Sequence, residues 1–154
     1  MEAKMKLLID ADGCPVVNIA VKIGGKHRLQ CVIVCDTSHI FQNDYAEIIT
    51  VSKGTDSVDF TLVNMVESGD IVITQDYGLA AMCLVRKAVV INQNGMSYNS
   101  GNIDLLLHSR YIIRKICRSG GRVKGPSKRT VEQDKAFEMK LQELLCHCQQ
   151  DVFL

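Results

Sequence analysis

The sequence predicts an α/β protein: a single three-layer domain with a mainly parallel five-stranded sheet, helices on both faces and a C-terminal helix. Three observations carry that expectation. Leu7-Leu8-Ile9, Cys31-Val32-Ile33-Val34-Cys35 and Ile71-Val72-Ile73 are short unbroken apolar runs, the pattern of strands buried on both faces. Stretches of helical spacing lie between the strands, so right-handed crossovers join strands that run parallel. A length of 154 residues with no internal repeat suffices for one domain with a sizeable core.

Residues 5–10 are strand one, ending in Asp10-Ala11-Asp12-Gly13-Cys14-Pro15, where glycine and proline punctuate the handover to a helix. That helix covers 14–23 and is stopped by Gly24-Gly25, with Lys26, His27 and Arg28 around its end. Strand two is 31–35, followed by a polar loop over 36–46. Strand three, 47–51, is less apolar and reads as nearer an edge. A helix over 57–67 puts Val58, Leu62, Met65 and Val66 on its apolar side and ends at Gly69. Strand four is 70–74, a third helix 78–87, strand five 88–91, and 92–101 is loop. A long helix over 103–118 is apolar at Leu105, Leu106, Ile112, Ile113 and Ile116. It closes an α/β core of 1–118. A basic, Gly-rich linker follows over 119–129, then a C-terminal helix in 130–154, with Thr130 and Gln133 at capping-box spacing. The last helix packs on the body or offers a face to a second copy of the chain, a homo-oligomer.

Hydrophobic content of 47% and charged content of 23% are those of an ordinary globular protein. No uncharged apolar run approaches the roughly 18 residues of a membrane span. The N-terminus leads straight into strand one and leaves no room for a signal peptide, so a cytoplasmic location is expected. The seven cysteines are odd in number and form no paired CxxC motifs, which argues against a zinc module and fits reduced thiols. Neither a G-x-x-x-x-G-K-[ST] frame nor a G-x-G-x-x-G after strand one is present, which argues against nucleotide sites of those kinds. With four Phe, four Tyr and no Trp, sequence-specific reading of single strands by stacking is not expected.

Five aspartates recur at strand-to-helix turns or at a helix start: Asp10, Asp12, Asp56, Asp59 and Asp76. Each also suits a helix cap or first turn. Their sequence positions nevertheless place them at the carboxyl end of the sheet, where open parallel sheets bind ligands. If strands one and four are neighbours, Asp10, Asp12 and Asp76 meet, and Asp56 and Asp59 close the ring from a helix. Clustered carboxylates repel one another unless a cation or protons sit among them. Oxygen donors without histidine or cysteine suit Mg²⁺ or Mn²⁺, and such ions commonly act on phosphates. The same five aspartates are therefore the candidate catalytic and metal-binding set. No Ser–His or Cys–His pair suggests a covalent nucleophile.

Charge is distributed unevenly. Residues 1–109 hold 8 Lys and Arg against 12 Asp and Glu, whereas 110–154 hold 10 against 5. The stretch from Arg110 to Arg129 contains eight bases and no acid. Such a block invites a polyanion, although a solvated helix face gives the same pattern. Arg110, Arg122, Lys124, Lys128 and Arg129 are the candidate phosphate contacts. Thr74 is placed to bond a carboxylate or a substrate oxygen, and Ser38, beside His39, to touch a phosphate. The expected partner is nucleic acid, RNA before DNA.

Asp10-Ala11-Asp12-Gly13-Cys14-Pro15-Val16 resembles the DADACPV signature of the bacterial YaiI/YqxD family, with Gly13 in place of alanine. Gly54-Thr55-Asp56-Ser57-Val58-Asp59 is similar to its G-x-D-x-x-D element, and Gly69 to Asp76 with Leu79-Ala80 to its GDIVIT-x-D-x-x-LA block. Gly125-Pro126, Asp134 and Phe137 resemble its C-terminal segment, so the likeness runs over about 6–145. It implies a PIN-like domain, with strand order 3-2-1-4-5 and an acidic pocket of the metal-dependent nuclease kind. Asp56 or Asp59 then stands where PIN-like pockets often carry a glutamate. Two functions are expected from different classes. One is a Mg²⁺- or Mn²⁺-dependent ribonuclease, and the other a non-catalytic nucleotide- or RNA-binding regulatory module.

Overall fold

The computed structural model describes residues 5–54, 57–122 and 128–151. Its sheet is built on β1 (Lys6–Asp10), which pairs in parallel with β2 (Gln30–Asp36) on one side and with β4 (Ile71–Ile73) on the other. Outside β2 lies β3 (Glu47–Val51), and outside β4 lies β5 (Val89–Ile91), both also parallel. The order expected for these five strands is therefore the order found. Ile9 is in register with Ile33 and Ile73, so β1 delivers Asp10 to the middle of the sheet's carboxyl edge.

The five-stranded expectation is corrected by one strand. β6 (Ser97–Tyr98) pairs antiparallel with β5, giving the order β3-β2-β1-β4-β5-β6. A turn makes that pairing possible. The Asn92 side chain accepts from the backbone N–H groups of Asn94 and Met96, and Gly95 adopts φ +83°. A two-residue strand has no apolar run or alternation long enough to show in sequence, so the segment reads as loop.

Alternation along the strands divides the core into two layers. Leu7, Ile9, Ile33, Ile71, Ile73 and Ile91 pack on one face against α1 (Val17–Lys26) and α5 (Val131–Asp151). Leu8, Val32, Val34, Val72 and Val90 pack on the other against α2 (Ser57–Met65), α3 (Tyr77–Val85) and α4 (Ser100–Arg118). The C-terminal helix docks on the body through Phe137, Leu141 and Leu145, all fully buried. Its predicted capping box forms: Thr130 N–H donates to Gln133 Oε1 and Gln133 N–H to Thr130 Oγ1.

Two helix expectations need correcting. Gly24-Gly25 does not stop α1, which runs on to Lys26. Gly24 is instead a point of close approach, since a Cβ there would lie 2.4 Å from Cys31 Sγ and 3.2 Å from Leu7 Cδ2. On α4, which starts at Ser100 under an Asn99–Asn102 capping box, Ile103 is buried. Leu105, Ile112, Ile113 and Ile116, the apolar positions read for this helix, are exposed. The helix packs by its N-terminal half, and its residues from Tyr111 onward are exposed. Among the described residues, no helix is long and apolar enough to cross a membrane.

Candidate active site

The carboxyl ends of β1 and β4 put their polar residues side by side. Thr74, 1% exposed, donates from Oγ1 to Asp10 Oδ2 at 2.7 Å, and the same oxygen accepts from Asp76 N–H at 3.0 Å. The new strand β6 supports this pair from behind, because Tyr98 donates its hydroxyl to the Thr74 carbonyl at 3.2 Å. Burial lifts the Asp10 carboxyl to about 7. The Thr74 bond opposes that shift, and the charges of Asp59, Asp12 and Asp76 add to it.

Asp76 caps α3. Its Oδ1 accepts from Gly78 N–H at 2.8 Å and Leu79 N–H at 3.1 Å, and lies 3.3 Å from Arg110 NH1. Its expected cap role is thus real, and it coexists with a place in the cluster. Gln75 ties the two strand ends together by donating from Nε2 to the Gly13 carbonyl at 2.9 Å.

Asp12 turns toward β2. Its Oδ1 accepts from Asp36 N–H at 3.3 Å and lies 3.0 Å from His39 Nδ1. Asp36 accepts from the Ser38 N–H at 2.8 Å and from the Ser38 hydroxyl, and these two bonds hold its carboxyl below the usual range. Asp12, Asp36 and His39 offer three ligand atoms within 4.8 Å of one another, the tightest such set among the described residues. This set is not the one expected from sequence. Asp36 ends β2 as Asp10 ends β1, so the rule that found Asp10 finds Asp36 too, once applied to every strand.

One cleft of about 780 Å³ gathers these groups. Asp10, Asp12, Asp36, Asp59 and Asp76 line it, and α4 adds Arg110, Ile113 and Arg114. Four of the five predicted aspartates therefore converge, while Asp56 lies outside the described residues. Of the predicted phosphate contacts among the described residues, only Arg110 lines this cleft. Arg129 is committed elsewhere: it donates to Asp134 Oδ1, Asn94 Oδ1 and the Gln93 carbonyl, each at 2.7 Å. That network fastens the start of α5 to the turn before β6. Ser38, Arg122 and Lys128 are exposed and outside the cleft lining, and Lys124 lies outside the described residues. Arg114 was missed, although it stands one helical turn from Arg110 and so shares its face.

The donor chemistry fits a hard divalent cation. Oxygens predominate, and a cation among them would relieve the repulsion that helps keep a proton on Asp10.

A protein-family model described as "Uncharacterized BCR, YaiI/YqxD family" matches residues 8–147. Curated relatives agree. A UPF0178 protein of Exiguobacterium sibiricum is 49% identical over 141 residues, 92% of this chain and 96% of its own. One from Clostridium kluyveri is 47% identical over 141 residues, covering 92% and 93% of the two chains. Another from Ruminiclostridium cellulolyticum is 50% identical over 137 residues, covering 89% and 90%. No solved structure matches the chain.

Proposed function

The chain belongs to the YaiI/YqxD family, and we propose that it is a PIN-like hydrolase that cuts phosphodiester bonds in nucleic acid, RNA above all, with Mg²⁺ or Mn²⁺. One observation carries this reading: Asp10, Asp12, Asp59 and Asp76 line the same cleft as Arg110 and Arg114. Acids alone would repel a phosphate chain, and bases alone would bind it without activating water. The strand order supports the PIN-like assignment, since it sets β1 beside β4.

Asp10 and Asp76 would hold the ion, with Asp12 and Asp59 completing its oxygen shell. When bound, the ion neutralises phosphate charge and lowers the pKa of water. The chain's own residues supply the rest. Thr74 fixes the Asp10 carboxylate at 2.7 Å and favours its ionised form. Asp59, from α2, is in place to orient a water. Arg110 and Arg114 draw in the phosphate and offset its charge. Burial of Asp10 keeps the cleft responsive to pH, because its proton competes with a cation.

One observation favours a non-catalytic nucleotide- or RNA-binding module. The tightest ligand set centres on Asp12, Asp36 and His39, while Asp76 Oδ1 already serves a helix cap and Arg110. A labelled mixed-sequence RNA incubated with Mn²⁺ separates the two. Hydrolysis is expected from the wild type, lost in EDTA and in the Asp10→Asn/Asp76→Asn double variant. Intact RNA together with tight mononucleotide binding makes the binding module the correct reading.

A further inference from the structure

The acid cleft does not end at its arginines. Asp59, Asp76, Arg110 and Arg114 also line a second hollow of about 520 Å³, whose remaining lining is Phe60, Gly78 and Met82. Asp59, Asp76, Arg110 and Arg114 are therefore a shared wall, and what the second hollow adds is an apolar floor. Phe60 is 63% exposed, the most exposed aromatic ring among the described residues, and Met82 is 39% exposed. Neither contributes to the core beneath. Phe60 follows Asp59 directly on α2, so the ring and the candidate catalytic carboxylate are carried by one rigid helix.

We propose that this second hollow is a nucleobase subsite, in which a base of a single-stranded substrate stacks on Phe60 against Met82 while the adjoining phosphate is held by Arg110 and Arg114. The inference rests on the phosphodiester reading of the acid cleft and narrows its substrate to unpaired strands. An aromatic face next to paired guanidinium groups is the combination that single-strand binders use, and stacking tolerates any base. A base within a duplex is already stacked on its neighbours and paired, so it cannot offer its face to Phe60. The charged lining selects this occupant over an apolar peptide: Arg110 and Arg114 are there to take the phosphate that each nucleotide brings, with Asp59 and Asp76 on the same lining and Asp76 Oδ1 3.3 Å from Arg110 NH1.

The chain contains no tryptophan, which makes the test direct. Phe60→Trp places one indole in the hollow, and its fluorescence reports a base stacked on it. The probes are a ten-nucleotide single-stranded RNA, its duplex, and a ten-unit abasic strand with the same phosphates, all in EDTA so that nothing is cut. Saturable quenching by the single strand is expected, with little from the duplex or the abasic strand. Phe60→Ala should weaken single-strand binding by roughly 5- to 150-fold, the range for one stacked base, and Phe60→Trp should restore it. Equal quenching by duplex or abasic strand, or unchanged binding by Phe60→Ala, overturns the subsite. Cleavage in Mn²⁺ is scored separately. Quenching without cleavage removes the nuclease reading and keeps the subsite, whereas cleavage indifferent to Phe60→Ala does the reverse.

Discussion

Thr74 Oγ1 stands 2.7 Å from Asp10 Oδ2 and binds Asp76 N–H at 3.0 Å, so one hydroxyl sets the position of the first acid and the backbone of the second. Its donated bond is the main influence opposing burial at Asp10. Thr74→Val keeps the shape and removes the donor. The Asp10 carboxyl should then titrate above its present value of about 7, as followed by carboxyl-carbon NMR. Mn²⁺ affinity at neutral pH should fall with it, and Thr74→Ser should restore both. An unmoved titration in Thr74→Val would mean that the hydroxyl serves packing alone.

The raised pKa of Asp10 also has a sign in stability. Asp10 goes from an ordinary 3.8 to about 7 on folding, so between those values the folded state holds a proton that the unfolded state has lost. Stability from this group is whole below pH 4 and declines as pH rises toward 7. In EDTA, Asp10→Asn should therefore melt above the wild type at pH 8, and the gap should narrow toward pH 5. Added Mg²⁺ should raise the wild type alone. A gap constant across that range would assign the proton to another group.

Metal binding is tested most directly by calorimetry. Mn²⁺ titrated into the wild type should release or absorb heat to saturation, and Asp10→Asn should lose most of the signal. Asp36→Asn reads the second set: the Asp12–Asp36–His39 triangle holds an ion of its own only if that variant also loses heat. Equal heats from wild type and Asp10→Asn would end the reading of Asp10 as a ligand.

The sheet was legible because β1, β2 and β4 are buried on both faces, which leaves no room for polar residues and so prints an apolar run. The acids were legible for the complementary reason, since polar groups at the ends of such runs sit at the carboxyl edge. β6 was not, because two residues held by backbone pairing need no apolar pattern. Arg129 misled for a different reason. Its charge places it in the basic block, but its fork is filled by Asp134, Asn94 and the Gln93 carbonyl, partners up to 36 residues away in sequence. Ile112 and Ile116 show the same limit, because helical spacing gives a face but not whether anything covers it.

Gly24 tests the close approach of α1 to the sheet. In Gly24→Ala the new Cβ meets the buried Cys31 sulfur at 2.4 Å, and Leu7 Cδ2 lies 3.2 Å away. Helix propensity gains up to about 1 kcal/mol from such a change. Overpacking typically costs about 1–3 kcal/mol, so net destabilisation is expected by denaturant unfolding. Cys31→Ala in the same chain should recover part of it. A Gly24→Ala protein as stable as the wild type would show that α1 lifts off the sheet without penalty.

Arginines in the cleft and arginines in the fold should separate by salt. Arg110 and Arg114 line the acid cleft, so each that contacts phosphate adds about 0.7 to the slope of log affinity against log salt for a single strand. Arg110→Gln/Arg114→Gln should flatten that slope by about 1.4. The exposed Arg122 and Lys128, with Lys124, test whether the strand continues along the basic segment, where the triple change to Gln should flatten it by about 2. Arg129→Gln should behave in the opposite way. It breaks bonds to Asp134, Asn94 and the Gln93 carbonyl, so it should lower the melting temperature while the slope stays at the wild-type value. Fluorescence anisotropy of a labelled single-stranded RNA across a salt series, alongside thermal melts, measures both. A slope lowered by Arg129→Gln without loss of stability would place that residue on the nucleic-acid path instead of in the joint that holds α5.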